Sequence, residues 1–102
     1  MKTESHGETL AVSASEEITA ASAPAFRSAI QAAILPAHKR IDLDLARTRF
    51  IDSSGLGALI SVHKLMAQRA GSIRILNPQA SIVQLLELTR LHRVFEIVPG
   101  KS

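Results

Sequence analysis

The sequence predicts an α/β domain: a mostly parallel sheet of four to five strands with helices mainly on one face. Three observations predict it. Short segments of period two alternate with longer segments of helical period along the whole chain. Such alternation implies parallel neighbours joined by right-handed crossovers. The predicted strands also carry Asp42, Asp44 and Arg74 between their apolar residues. A parallel sheet covered on both faces would read as near-continuous apolar runs, so one face is partly wet.

The elements follow in order. In ETLAVSA, residues 8–14, Leu10 and Val12 alternate with smaller or polar residues as in a half-buried strand. A polar stretch runs from Ser15 to Thr19. Phe26, Ile30, Ala33 and Ile34 then recur at helical spacing. Ser22 is placed to cap that helix, Pro24 is tolerated in its first turn, and Pro36 ends it. In RIDLDLA, residues 40–46, Ile41, Leu43 and Leu45 point one way and the two aspartates the other. A second helix is expected from about Ser53 to Ala70, with Gly71 as its C-terminal stop. SIRIL, residues 72–76, is a further strand. Asn77-Pro78 reads as a helix start, a cap followed by proline at the first position. Ile82, Leu85, Leu86 and Thr89 make one face of that helix, and VFEIV closes the chain as a last strand.

Composition narrows the function. A chain of 102 residues fits one compact domain. The sequence is 46% hydrophobic with three Phe and no Trp or Tyr, so the core is aliphatic. It contains no cysteine, which excludes disulfides, thiolate metal sites and cysteine nucleophiles. The longest apolar run is far short of the roughly 20 residues that span a bilayer, so no membrane span is expected. The polar start MKTESHGE has no signal-peptide core, and residues 1–7 read as a flexible N-terminus. Cytoplasmic is the expected location. The net charge of +3 invites a nucleic-acid reading. Yet the basic residues are scattered, no aromatics interleave with them, and no nucleic-acid partner is expected.

The chemistry concentrates in FIDSSGLGALI, residues 50–60. Ligands and partners of α/β sheets meet the carboxyl ends of strands, where loops enter helices, and this stretch is such a junction. Asp52, Ser53 and Ser54 can each accept a hydrogen bond from the free N–H groups of a first helical turn. Capping therefore explains the aspartate and serines. It does not explain Gly55 and Gly57. Catalytic readings fail on spacing. A nucleophile elbow needs a glycine two residues before the serine, where Ile51 or Asp52 stands. A P-loop needs a lysine after its glycine, and a dinucleotide loop needs a third glycine. His63 lies ten residues beyond Ser53 on the same predicted helix, about 15 Å away, and cannot serve it as a base. His38 and His92 lie near helix ends and need no function there. No His, Asp or Glu set has metal-ligand spacing. No catalytic residue, metal or cofactor is expected. What remains is an exposed serine at a helix start, suited to modification by another enzyme. Phosphate adds about −1.5 to −2 charge, which the helix dipole tolerates there but a closely packed partner surface does not.

At this point a resemblance applies. IDSSGLGALI, a helix, and then AGSIRILNPQASIVQLLELTRLHRVFEI resemble the STAS-domain anti-sigma factor antagonists of bacteria. The likeness extends from about Thr9 to Val98, with the domain placed at residues 8–99. Its most specific part is Asp52-Ser53-Ser54-Gly55-Leu56-Gly57, supported by Leu88-Thr89-Arg90-Leu91 before Val94-Phe95. The resemblance implies a non-enzyme. Its unphosphorylated form binds a kinase-like anti-sigma factor and makes it release a sigma factor. The partner phosphorylates the serine directly after the aspartate, Ser53, and a metal-dependent serine phosphatase resets the cycle. Asp52 and Ser54 then flank the contact, Gly55 and Gly57 let the partner approach, and Leu56 packs or touches it.

One departure stands out. Members often carry a Gly-Glu-Leu-Asp-like segment after the first strand, with its acidic end at the interface. Here the matching stretch is Glu16-Glu17-Ile18-Thr19, so Thr19 takes the aspartate's place in partner binding. That departure fits the alternative of a constitutive STAS subunit in a signalling scaffold or lipid-transport complex. The Asp52-Ser53 pair favours the switched antagonist.

Overall fold

A computed structural model describes residues 1–100. Five strands form the main sheet: β1 (Lys2–His6), β2 (Thr9–Ser13), β4 (Arg40–Asp44), β6 (Ser72–Leu76) and β7 (Glu96–Val98), in the spatial order β1-β2-β4-β6-β7. Only the β1–β2 pairing is antiparallel; β2–β4, β4–β6 and β6–β7 are parallel. The crossovers carry helices α1 (Ala23–Ala33), α2 (Ser53–Ala67) and α3 (Ala80–Leu88), with a short 3-10 turn at Leu91–Arg93. Beyond β2 and β4 the chain pairs again, as a two-stranded parallel ladder of β3 (Glu17–Ile18) and β5 (Phe50–Ile51).

The sheet is covered on one face, as the charge pattern required. Leu10, Val12, Ile41, Leu43, Ile73 and Ile75 are buried. They meet Phe26 and Ile30 of α1, Leu59, Val62 and Met66 of α2, and Ile82 and Leu86 of α3 in one core. Each such burial is worth about 1.5–3 kcal/mol, which fixes the register of every strand, since a slip of one residue would expose its apolar set. The opposite face carries a row of paired positions, Glu4, Ala11, Asp42, Arg74 and Glu96. In it the Arg74 guanidinium grips Asp42 with two hydrogen bonds, of 2.9 and 2.8 Å. That grip, together with the nearby charges of Arg74 and Arg40, holds the Asp42 carboxyl below the usual aspartate range against the opposing effect of burial.

Four expectations are corrected. Residues 1–7 are not a loose tail. Lys2–His6 pair along all of β2, and Gly7 turns the hairpin with φ +60°. The five side chains of β1 are exposed, so no apolar alternation announces the strand. Its anchor is polar: fully buried His38 accepts from the Leu35 N–H at Nδ1, leaving Nε2 to donate to Ser5 Oγ, 2.8 Å away. Second, Ser22 occupies the N-cap of α1 but does not cap it. Its Oγ accepts from the Thr19 N–H and donates to the Glu17 carbonyl, bracing the loop instead. Third, α2 ends at Ala67, and the left-handed residue that closes the following turn is Ala70 (φ 56°), not Gly71. Gly71 is needed for space, because a Cβ there would lie 2.6 Å from the Lys39 carbonyl oxygen. Fourth, Asn77 is left-handed (φ 56°) and donates its N–H to the Val98 carbonyl, tying β6 to β7. Helix α3 begins three residues later, with Gln79 at its N-cap.

Candidate functional site

The β3–β5 ladder delivers two loops to the start of α2 at the carboxyl end of the sheet. Asp52 is the N-cap of α2, extended at φ −95° and ψ −173°. Its two carboxylate oxygens are both engaged. Oδ1 accepts from the Gly55 N–H at 2.9 Å, the helical cap. Oδ2 accepts from the Ala20 N–H at 3.0 Å, in the loop between β3 and α1. The Asp52 N–H in turn donates to the Ile18 carbonyl at 3.3 Å. The Gly55 N–H, and after it the Ala20 N–H, hold this carboxyl below the usual aspartate range. Asp52 thus ties two loops together, a role beyond capping.

The residues of the motif divide by what the fold asks of them. Gly55 is buried, and a Cβ on it would lie 2.7 Å from Ile51 Cγ2 and 2.9 Å from the Ile18 carbonyl carbon, with the carbonyl oxygen closer still. Its smallness serves the chain's own packing. Leu56 is partly buried against the core. Ser53 and Ser54 are exposed on the first turn. Gly57 is exposed too, and a Cβ there would meet nothing within 4 Å. The structure therefore brings Asp52, Ser53, Ser54 and Gly57 together on an open surface, and turns Gly55 and Leu56 inward.

Thr19 lies one residue from the Ala20 amide that Asp52 holds. It lines a separate hollow of about 720 Å3 with Lys2, Glu16, Glu17, Ser22 and Arg47. Arg49 pairs loosely with Glu16 at 3.5 Å. His63 packs edge-on against Phe95, with ring centroids 5.8 Å apart, rather than toward the serines.

Sequence reasoning missed three neighbours. Phe50 is 53% exposed two residues before Asp52, an aromatic ring left in water beside the site. Arg27 and Ser61 face a groove shared with Ser54. Phe50 was legible as an apolar residue just before the motif, although its outward aim depends on the short β5 ladder. Nothing in the sequence marks Arg27, one of several scattered cations. Among the described residues, no group of three or more His, Cys, Asp or Glu is placed to hold a metal. Nor is any helix among them long and apolar enough to cross a membrane.

These features define a class: a small α/β domain, helical on one face of its sheet, that presents paired serines at a helix start. The chain belongs to the STAS domain family, whose sequence model matches residues 1–101. It is 30% identical over 59 residues to the anti-sigma F factor antagonist of Paenibacillus polymyxa. That stretch is 58% of this chain and spans about half the length of the relative, 50%. An anti-sigma factor antagonist from Mycobacterium paratuberculosis is 26% identical with a TM-score of 0.83, over 97% of this chain and 84% of that one. The anti-sigma factor antagonist SpoIIAA in its unphosphorylated form has a TM-score of 0.76 at 22% identity, over 98% and 88% of the two chains. The Bacillus cell-fate determinant SpoIIAA in its phosphorylated form gives the same values over 99% and 91%. At that identity SpoIIAA supports the fold.

Proposed function

We propose that this protein is an anti-sigma factor antagonist, switched at Ser53. Unphosphorylated, it docks a kinase-like anti-sigma factor on the surface formed by Asp52, Ser53, Ser54, Gly57 and the neighbouring Thr19 loop. That docking releases a sigma factor. The partner transfers the γ-phosphoryl group of its own ATP to Ser53 Oγ, and a metal-dependent serine phosphatase later removes it. The chain itself is a substrate and not an enzyme, and it works in the cytoplasm.

The observation that carries the reading is the exposure of Ser53 at the first helical position, directly after a capping aspartate that is already fully engaged. The Ser53 hydroxyl is open to an incoming active site. A phosphate on it sits at the positive end of α2, so the domain stays folded. It also adds about two negative charges beside the Asp52 carboxylate. A partner surface complementary to the neutral serine loses its fit, since burying that charge without partners is costly. Gly55 and Leu56 contribute indirectly, by holding the helix start in place.

The test is direct. The protein is incubated with its cognate kinase-like partner and ATP, and the phosphorylated residue is located by mass spectrometry. Phosphate on Ser53, absent from Ser53→Ala, together with weakened binding by Ser53→Asp, supports the reading. Phosphate elsewhere, or none, sinks it.

A further inference from the structure

Between α1 and the first turns of α2 runs an open groove of about 370 Å3. Ala20, Pro24 and Arg27 form one wall, and Ser54, Gly57 and Ser61 the other. Two of its features have no explanation within the fold, and a third observation places it beside the serines. Gly57 is helical and unhindered, so alanine would fit there without contact. A glycine inside a helix gives up about 0.5–1 kcal/mol relative to alanine, and here no close packing requires it. Arg27 is exposed and has no hydrogen bond or ion pair from its side chain among the described residues. Among the described residues it is also the one charged side chain lining the groove. Finally, the groove is continuous with the serine site, since Ser54 lines it and Ala20 carries the amide that Asp52 holds.

We propose that this groove is a second part of the docking surface and receives an acidic segment of the kinase-like partner. Arg27 pairs with a carboxylate of that segment, the Ser54 and Ser61 hydroxyls serve as its hydrogen-bond partners, and Gly57 keeps their wall clear for its approach. The inference rests on the antagonist reading and deepens it by giving the partner a chemistry. A lone cation in a groove otherwise lined by small neutral residues selects for negative charge and disfavours a basic segment. The same arrangement accounts for a glycine that costs helix stability without serving the core.

The experiment measures binding of the unphosphorylated protein to the kinase-like anti-sigma factor from the same genome by calorimetric titration, with melting curves for every variant. Arg27→Glu and Gly57→Gln are each expected to weaken binding about tenfold or more, and Arg27→Lys by no more than about threefold. Gly57→Ala, whose methyl group meets no neighbour, is the second variant that guards against a folding artefact. It should melt no lower than the parent and bind slightly more weakly. Added salt should weaken the parent complex more steeply than that of Arg27→Gln. If Ser53→Asp loses binding while Arg27→Glu and Gly57→Gln bind like the parent, the groove is overturned and the switch survives. Tighter binding by Arg27→Glu overturns it as well. If the unphosphorylated parent binds no kinase-like partner, the antagonist reading falls and the groove falls with it.

Discussion

The two glycines of the motif give opposite predictions for one substitution. At Gly55 a methyl group would sit 2.7 Å from Ile51 Cγ2 and 2.9 Å from the Ile18 carbonyl carbon. Carbon contacts relax at about 3.5–4.0 Å, so β3 or α2 has to move. The Ile18 obstacle is backbone, and its carbonyl accepts the Asp52 N–H, so the shift also strains that hydrogen bond. Overpacking costs about 1–3 kcal/mol and a weakened hydrogen bond about 1 kcal/mol. The helix regains about 0.5–1 kcal/mol from alanine. The net is a loss of roughly 1–3.5 kcal/mol, or a Tm drop of roughly 4–28 °C for a domain of this size. Gly57→Ala meets nothing. It gains about 0.5–1 kcal/mol, a Tm rise of roughly 2–8 °C. Thermal melts by far-ultraviolet circular dichroism, with urea titrations to check that the m value is unchanged, measure both. Shifts of the same sign, or a neutral Gly55→Ala, would refute the division between a glycine the fold needs and one it does not.

Other perturbations have equally definite outcomes. Ala70→Gly relieves a left-handed alanine (φ 56°) and should stabilise by about 0.5–1 kcal/mol in urea unfolding; no gain would mean the turn relaxes in solution. Phe50→Ala should weaken partner binding about tenfold with little change in Tm, because the ring is 53% exposed; unaltered affinity places Phe50 outside the contact. Asp42 is held below the ordinary aspartate value of 3.8 in the folded state, so it favours folding fully above that value and loses its contribution as pH falls through the lowered one. The stability gap between the parent and Asp42→Asn should therefore be constant near neutrality and close below about pH 4, as followed by urea unfolding across pH. A gap that widens in acid contradicts the Arg74 pairing.

Periodicity made most of the fold legible, because the covered face of each long strand and helix is apolar and repeats. Leu10 with Val12, Ile41 with Leu43, and Ile73 with Ile75 appear in the sequence as they sit in the core. Where burial is not the organising force, the sequence is quiet. Strand β1 is held by backbone pairing and by the Ser5–His38 hydrogen bond, so its exposed side chains resemble a tail. The signal available was Gly7, followed by Glu8 and the strand, as in a two-residue hairpin turn. Strands β3 and β5 have two residues each, too few for any period. Helix signals misled where a residue had a better alternative. Ser22 bonds the Glu17 carbonyl rather than its own helix, and Asn77 takes up the β6–β7 connection. The serine site was legible because capping chemistry is local. Its Arg27 wall was not, because only the α1–α2 packing brings that side chain beside Ser54.

The helical repeat explains how one short motif serves the fold and, on the proposed reading, a partner as well. Gly55, Ala58, Leu59, Val62 and Met66 are buried along one stripe of α2. Ser54, Gly57 and Ser61 lie three and then four residues apart, along a different stripe that opens on the groove. A sequence under pressure from the fold alone has no reason to place glycine in the second stripe, and pressure from a partner alone has none to place it in the first. Asp52 belongs to both, since its carboxylate caps α2 and holds the loop that forms the groove's rim. Substituting Asp52 should therefore damage stability and binding together. Ser53→Asp, Arg27→Glu and Gly57→Gln should separate the two, weakening the partner complex while the domain stays folded.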